Sequence, residues 1–301
     1  MNTLNEYARM VNARLEEIPA VIDEGRCEIG QMPWLLSQSM RYSLSAGGKR
    51  LRPCMLLAAV ALLGGNVNDA LDFACAVEMI HTYSLIHDDL PGMDDDTLRR
   101  GRPTNHVVFG QGQAILAGDG LLNVAFETML NAACARPEGA ARYLSAIREI
   151  ATGAGVAGMI GGQVMDLRCE RNNEGGEADL EYIQYGKTAC MFIYPLRAAA
   201  RLCGAAEADV QALTAYGRAF GLLFQATDDL LDVTGTQADM GKTLGKDAAN
   251  GKLTCVSVFG VEGTRRRVGA LHAEALRAIE RYGERGDFFR QLVDAMVDRT
   301  K

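Results

Sequence analysis

The sequence predicts an all-α fold of long helices in a single domain that spans residues 1–301. Apolar residues recur at spacings of three and four, and no sustained alternation of apolar and polar residues marks a strand, so strands should be rare. The chain has only 7 prolines, and hydrophobic residues make up 48% of it, which is a globular value. No linker-like composition and no repeat divides the chain, which favours one bundle of helices.

The same periodicity places the helices along the chain, with glycine and proline marking the turns between them. The predicted helices are 3–22, 34–45, 53–64, 69–90, 112–134, 138–153, 179–186, 188–204, 208–231, 250–260 and 264–297. Glycine-containing segments at 64–66 and 136–139 separate the third helix from the fourth and the fifth from the sixth. Segments 172–177 and 235–245 are polar and contain glycine, so we expect loops there.

The charge balance limits the classes of partner. The chain has 31 Lys and Arg against 38 Asp and Glu, a formal net charge of −7. Binding of a phosphate backbone needs a basic face, so nucleic acid is not expected, whereas a small phosphorylated ligand is compatible with a few clustered cations. No membrane span is expected, because the longest apolar stretch, residues 54–63, is about half of the ~20 residues that cross a bilayer. The N-terminus also lacks the basic and apolar regions of a signal peptide.

The 8 cysteines are expected to be free thiols. Several lie in apolar runs, and no CxxC pair occurs, which disfavours zinc binding and redox chemistry. A chain of this length does not need disulfide bonds to stabilise its core. The cysteines therefore predict a reducing compartment, and we expect a cytoplasmic protein.

The first acidic cluster has five aspartates within the nine residues 88–96, directly after an apolar helix. Asp88 and Asp89 are expected on the last helical turn. Pro91 and Gly92 then break the helix and allow Asp94 to fold back towards it. Taken alone, such a cluster is equally well explained as a solvated helix end.

The second acidic cluster, residues 228–232, also ends an apolar segment. Asp228 and Asp232 are spaced i and i+4 on one helical face, and Gln225 shares that face. Like charges at this spacing repel, so two such clusters on apolar helices favour a bound cation over a solvated surface. Oxygen ligands without cysteine or paired histidine suit Mg²⁺, which completes its coordination with water and phosphate.

Basic residues beside the acidic clusters suit the phosphate. Segment 47–53 is a glycine turn with three basic side chains that runs into a helix, where free N–H groups bind anions. Arg99 and Arg100 follow the first cluster, and Lys242 and Lys246 follow the second. Each pair alone is more often plain surface. The occurrence of these four cations beside acidic clusters, in a chain of net negative charge, favours a phosphate-binding site.

These segments together resemble the trans-isoprenyl diphosphate synthases, with the greatest similarity to the bacterial farnesyl or short-chain enzymes. The matching stretches occur in the family's order: 47–53, 78–91, 98–101, 161–163 with Asp166, 187–188, 224–225 with 228–232, and Lys242 with Gly245. The resemblance implies the isoprenoid synthase fold, a bundle of long helices around a deep central cavity with the acidic motifs at its mouth. It also implies a homodimer.

The resemblance implies a prenyltransferase of isoprenoid biosynthesis. Isopentenyl diphosphate would condense head to tail with dimethylallyl or geranyl diphosphate, giving farnesyl diphosphate and releasing diphosphate. Several Mg²⁺ ions are expected, and Mn²⁺ also fits oxygen ligands. The implied metal ligands are Asp88, Asp89, Asp94, Asp228 and Asp232, with support from Asp166.

The same resemblance assigns the substrate contacts. Those to isopentenyl diphosphate are Lys49, Arg52, His81 and Arg100. Those to the allylic diphosphate are Arg99, Lys187 and Lys246. Gly48 and Lys242 are further expected substrate contacts. Thr188 and Gln225 are expected to turn oxygen lone pairs towards the allylic cation, and with Lys187 and Arg99 they form the expected catalytic set. Without the family, His81 is better explained as a hydrogen-bonded core histidine.

Chain length is predicted from helical geometry. Tyr83 lies five residues before Asp88, about 7.5 Å deeper at 1.5 Å per residue, and its phenol is expected to close the tail cavity. Ser84 is small and would admit the tail. An aromatic residue here, with Pro91-Gly92 inside the motif, resembles bacterial enzymes that stop at C15. The alternative is that Tyr83 is only a core residue.

Some departures from the family's pattern leave the product open. Met191-Phe192 and Pro195 are unusual after Lys187-Thr188, and in the family fold they flank the cavity, where they would alter tail length or kink the helix. Geranyl or geranylgeranyl diphosphate is the alternative product. Outside this reaction, the acidic motifs also leave open a metal-dependent phosphohydrolase that uses His87-Asp88, and a non-catalytic subunit of a prenyl synthase.

Overall fold

The structure, a computed structural model, describes residues 3–23, 34–172, 174–234 and 251–298, with the backbone alone for 19–23. The all-α prediction is confirmed. The helices are α1 (Leu4–Asp23), α2 (Trp34–Leu44), α3 (Leu51–Leu62), α4 (Leu71–Asp88), α5 (Asn105–Phe109), α6 (Gln111–Cys134), α7 (Ala140–Ala154), α8 (Met159–Asn172), α9 (Glu177–Ile183), α10 (Cys190–Leu202), α11 (Glu207–Thr234), α12 (Cys255–Ile279) and α13 (Asp287–Asp298). Short 3₁₀ segments cover Val67–Ala70, Pro137–Gly139 and Glu280–Gly286, and Gln184–Ala189 is π-helical.

The expectation that strands are rare is also confirmed for the described residues. Their sheet is one antiparallel hairpin of β1 (Leu98–Arg99) and β2 (Arg102–Pro103). Its turn contains Arg100 and Gly101, both at positive φ. The hairpin therefore presents Arg99 and Arg100 beside the end of α4.

The helix that ends in the first acidic cluster lies at the centre of the bundle. α4 packs against α3, α6 and α10, while α10 packs against α3, α7 and α11, and α11 against α12. One cluster of buried hydrophobic side chains runs from α1 to α13 through all of these helices. Burial on this scale stabilises the bundle, because each Å² of apolar surface removed from water contributes about 25 cal/mol.

Three helix predictions need correction. No helix was expected between 153 and 179, yet α8 occupies Met159–Asn172. Helix 264–297 is interrupted, because α12 ends at Ile279 and Gly283 adopts φ +54 before α13 begins. The two segments 250–260 and 264–297 are joined in α12, with a kink at Gly260, where φ is +66.

The described helices also bear on compartment and cysteine chemistry. None of them is both long enough and apolar enough to span a membrane. Seven cysteines lie in the described residues, and all seven are free thiols. Burial raises the pKa of the Cys54, Cys190 and Cys255 thiols, so these groups stay protonated and chemically inert at neutral pH.

Candidate active site

The first acidic cluster folds back on the end of α4, as predicted. Asp88 is the last residue of α4, and its carbonyl oxygen accepts a hydrogen bond of 2.8 Å from the backbone N–H of Asp94. The N–H of Asp96 donates to the carbonyl of Asp89 at 3.2 Å. The turn over Pro91-Gly92 therefore brings Asp94 and Asp96 back to the helix end that carries Asp88 and Asp89.

Cations from separate elements pair with these carboxylates. Arg99 of the hairpin forms an ion pair of 2.6 Å with Asp89, and Lys252 lies 3.0 Å from Asp94. Burial raises the pKa of Asp88 to about 6; attraction to Lys187 lowers it and repulsion from Asp94 raises it. Asp88 is therefore the carboxylate of this group that most needs a further positive charge.

Lys187 approaches the cluster from the π-helical segment. Its ammonium group lies 2.6 Å from Asp166 of α8. Burial lowers the pKa of Lys187, but the charges of Asp88 and Asp166 outweigh it and raise the pKa above its ordinary value. Lys187 is thus held as a cation that pairs with Asp166 and is attracted by Asp88. π-Helical turns often mark functional positions, because they re-aim the side chains that follow.

A glycine allows this placement of Lys187. A Cβ atom at Gly162 would lie 2.1 Å from the backbone nitrogen of Lys187, so α8 and the π-helical segment meet backbone to backbone only because position 162 has no side chain. The Gly161-Gly162-Gln163 stretch therefore has a packing role. The side-chain nitrogen of Gln163 is buried without a hydrogen-bond partner among the described residues.

The second acidic cluster lies at the end of α11, with a hydrogen-bonded chain behind it. The Thr188 hydroxyl donates to the Gln225 side-chain oxygen at 2.9 Å, and the Gln225 amide donates to Asp229 at 2.9 Å. Asp229 also accepts the backbone N–H of Cys255 at 2.7 Å, at the start of α12. Asp228 is half-buried and Asp232 is buried. Thr188 and Gln225 are therefore in contact, as their expected common role of directing oxygen lone pairs requires.

The short segment before α12 connects the two clusters. Lys252 contacts Asp94 of the first cluster, and three residues later Cys255 is bound to Asp229 of the second. Lys252 was not among the predicted site residues. The sequence marks Lys252 only by its position, between Gly251 and Thr254, the N-cap of α12.

The donor set fits divalent ions that are shared with a diphosphate. Within the described residues, no three His, Cys, Asp or Glu side chains form a group that would hold a metal ion by themselves. Mg²⁺ typically takes one or two carboxylates and completes its coordination with water and phosphate oxygens. The raised pKa of Asp88 is consistent with such an ion. The residues that would hold the ions are Asp88, Asp89, Asp94, Asp228 and Asp232.

A second group of predicted residues forms a basic corner beside α4. The Arg52 guanidinium donates to the Nε2 of His81 at 3.4 Å. Burial lowers the pKa of His81 well below its ordinary value, and the charges of Arg52 and Arg100 lower it further. The ring is neutral at neutral pH and accepts from Arg52.

Arg100 is placed by two glycines of the segment 47–53. Its guanidinium donates to the carbonyl oxygen of Gly47 and lies against Gly48, where a Cβ atom would come within 2.6 Å of Nη1. Lys49 is exposed beside them. Arg50 differs from its neighbours, because its side chain forms a buried ion pair of 2.5 Å with Glu78 and so supports the fold.

The predicted chain-length residues, Ser84 and Tyr83, lie four and five residues before Asp88, a little over one helical turn below the acidic cluster. Tyr83 is buried, and its ring packs edge-on against His87 with centroids 5.7 Å apart. Burial raises the pKa of Tyr83 to about 12, with a further contribution from Asp88. The Ser84 hydroxyl donates to the carbonyl of His81 at 2.9 Å. Lys242 and Lys246 lie outside the described residues.

Comparison with known proteins identifies the family. A model of the polyprenyl synthetase family matches residues 33–285. A geranylgeranyl pyrophosphate synthase from Capsicum annuum is 42% identical over 282 residues, which cover 94% of this chain and 73% of the plant protein. A farnesyl diphosphate synthase from Bacillus subtilis is 42% identical over 268 residues, 89% of this chain and 90% of that protein. The crystal structure of a geranyltransferase from Legionella pneumophila has a TM-score of 0.84 at 28% identity and covers 99% of this chain and 96% of its own. The resemblance drawn from the motifs is confirmed, and the chain belongs to the polyprenyl synthetase family.

Proposed function

We propose that this prenyltransferase catalyses the divalent-metal-dependent condensation of isopentenyl diphosphate with dimethylallyl or geranyl diphosphate, forming farnesyl diphosphate and diphosphate. The observation that carries the proposal is the pairing of cations from three separate elements with the carboxylates at the end of α4 and on α8. Arg99 pairs with Asp89 and Lys252 with Asp94, while Lys187 pairs with Asp166 and is attracted by Asp88. Such alternating charge suits a ligand that brings both phosphate and metal.

The basic corner is proposed to bind isopentenyl diphosphate. Gly48, Lys49, Arg52, His81 and Arg100 supply backbone and side-chain donors to one anion. His81 is neutral and accepts from Arg52, so it orients the guanidinium without adding charge. The double bond of the bound substrate would then attack the allylic carbon, and the released diphosphate would take the proton.

The allylic diphosphate is proposed to bind on the carboxylate side, with Arg99 and Lys187 as donors and with Lys242 and Lys246 as further contacts. Bound Mg²⁺ would supply neutralisation of charge on the leaving diphosphate. Thr188 donates its proton to Gln225, so the lone pairs of its hydroxyl remain for the developing cation. Gln225 is fixed in turn by Asp229. These dipoles are oriented before the reaction, which is the condition for electrostatic catalysis.

The product length is proposed from Tyr83. The buried phenol lies about 7.5 Å below Asp88 along α4, so it is expected to limit the tail to C15. Geranylgeranyl diphosphate is the second candidate, because relatives at 42% identity carry both names. A homodimer is supported by apolar side chains exposed together on α5 and α6, namely Val107, Val108, Ile115 and Leu116. The free thiols of the described cysteines favour a cytoplasmic location.

Product sizing tests the proposal. Purified protein is incubated with Mg²⁺, labelled isopentenyl diphosphate and each allylic starter of 5, 10 or 15 carbons. Products that end at 15 carbons support the farnesyl assignment, while 20 carbons or more would replace it with geranylgeranyl synthesis. No condensation with any starter would contradict the proposed function.

A matched pair of variants tests the site. Asp88→Asn removes a proposed metal ligand and is expected to lower kcat by at least 100-fold, the order of loss of an electrostatic group in a catalytic site. Asp95→Asn changes an exposed aspartate of the same loop, at φ +50, and should retain activity. Equal activity in the two variants would contradict the assignment of Asp88.

A further inference from the structure

The guanidinium of Arg52 faces aromatic rings in addition to His81. Its Cζ atom lies 4.5 Å from the ring centroid of Phe192 and 5.9 Å from that of Phe224. Both distances are within the range of a cation–π interaction, and Phe192 is the closer ring. Phe192 belongs to α10, whereas Arg52 belongs to α3, so the contact joins two elements.

The rings supplement the attraction of Glu78 and Asp228 for the Arg52 cation, which acts without a direct ion pair in the described residues. Among the described residues, no carboxylate forms an ion pair with Arg52, since Glu78 is engaged by the neighbouring Arg50 at 2.5 Å. The Nε of Arg52 is buried and has no hydrogen-bond partner in the described part of the chain. Burial lowers the pKa of Arg52 to about 10, so the side chain is still charged at neutral pH. A cation that is withdrawn from water without a directly paired carboxylate needs other contacts to hold it.

We propose that Phe192 is a positioning residue for isopentenyl diphosphate, because its ring holds the Arg52 guanidinium in the orientation that binds the substrate's diphosphate. The inference rests on the proposed function and assigns a side chain that no motif identifies. It also changes the expectation for Phe192, whose position after Lys187-Thr188 suggested an effect on tail length. The observed ring face contacts the isopentenyl side of the site.

Phe192 is itself held in place. It is 1% exposed, and Phe220 packs edge-on against it with centroids 5.1 Å apart. Phe224 lies 5.5 Å away in a tilted arrangement. A ring fixed on both sides holds the plane of a guanidinium whose one other side-chain anchor among the described residues is His81. An aliphatic side chain in the same place would fill the space without attracting the charge.

Graded fluorination of Phe192 tests the proposal. Fluorine atoms withdraw electron density from the ring face while its size changes little, so 4-fluoro-, 3,5-difluoro- and 3,4,5-trifluorophenylalanine at position 192 weaken a cation–π contact in steps. We expect the KM for isopentenyl diphosphate to rise with each step, to roughly tenfold at the end, as a partly desolvated contact requires. The KM for geranyl diphosphate should stay constant.

Phe220→Leu is the matched control. This ring belongs to the same aromatic cluster and contacts Phe192, but within the described residues it makes no cation–π contact with Arg52. Phe192→Leu and Phe220→Leu should lower the melting temperature by similar amounts, and only Phe192→Leu should raise the KM for isopentenyl diphosphate. A KM that does not change along the fluorine series would overturn the inference while the wild-type condensation leaves the proposed function standing. Calorimetry that detects no isopentenyl diphosphate binding to the wild type would overturn both.

Discussion

Gly48→Ala tests whether the absence of a side chain at position 48 allows Arg100 to reach its position in the site. Gly48 adopts φ +127, and a Cβ built on it would lie 2.6 Å from Nη1 of Arg100 and 2.8 Å from Cζ. Real Cβ atoms do not approach other atoms so closely, so one of the two groups must move. Because the clashing atoms are the tip of a flexible side chain, the guanidinium moves and the backbone stays.

Two separate effects follow, and their sizes differ. Placing a side chain at positive φ costs about 1–2 kcal/mol of stability. Displacing Arg100 removes a hydrogen bond of a charged group to the Gly47 carbonyl, together with its proposed contact to substrate. Hydrogen bonds of charged groups contribute about 1.5–3 kcal/mol, so isopentenyl diphosphate should bind about 10- to 100-fold more weakly.

Gly47→Ala separates these effects. Gly47 has φ +82, and a Cβ there would have no atom within 4 Å, so this variant carries the strain without the clash. Steady-state kinetics with each substrate, together with thermal melts, compare the pair. We expect similar losses of melting temperature, a higher KM for isopentenyl diphosphate only in Gly48→Ala, and an unchanged KM for geranyl diphosphate in both. The same KM for isopentenyl diphosphate in both variants would refute the placement of Arg100.

Three further changes test the packing beneath the site, a buried ion pair elsewhere in the bundle, and the floor of the tail cavity. Gly162→Ala puts a Cβ 2.1 Å from the Lys187 nitrogen, so we expect a loss of roughly 1–3 kcal/mol in denaturant unfolding and a lower kcat, while Gly176→Ala, with open space around it, should alter neither. Burial raises the pKa of Glu149, but hydrogen bonds from Arg197 and Arg201 outweigh it and keep that pKa below its ordinary value, so its contribution to stability is lost as pH falls through the folded pKa. Glu149→Gln should therefore melt earlier than the wild type at neutral pH, with a difference that shrinks in acid; a difference independent of pH would show that the charge is irrelevant. Tyr83→Ala should lengthen the product in mass spectra, and unchanged products would remove Tyr83 from the chain-length argument.

The long helices with strong apolar periodicity were predicted nearly to the residue. The segment 34–45 corresponds to Trp34–Leu44, and 112–134 corresponds to Gln111–Cys134. α8 was missed because Gly161 and Gly162 lower its helix propensity, by about 1 kcal/mol for each glycine in a helix interior. The compensation lies in contacts with another segment, since Gly162 meets the backbone of Lys187. Helix propensity depends on the local sequence, so it contains no information about the contact of Gly162 with the Lys187 backbone.

The residues of the candidate site likewise divide into those that local sequence features predict and those that depend on a distant partner. The carboxylates could be predicted, because their spacing and the apolar helices before them are local features of the sequence. Lys252 could not, since it is 158 residues from Asp94 and stands in no charged run. The aromatic contact of Phe192 with Arg52 likewise depends on how α10 packs against α3. Residues that act through a distant partner leave no periodic signal.

Helical spacing also explains why adjacent aspartates of the second cluster have different partners. Asp228 and Asp232 share one face, whereas Asp229 is rotated about 100° from Asp228 and points to the neighbouring elements. It accepts a hydrogen bond from Gln225, one turn earlier on α11, and another from the Cys255 N–H, one of the donors in the first turn of α12 that have no partner within the helix. The backbone that starts at Cys255 is thereby fixed, and with it Lys252, which contacts Asp94 three residues earlier. A carboxylate of the second cluster thus helps to start the helix whose preceding segment contacts the first cluster.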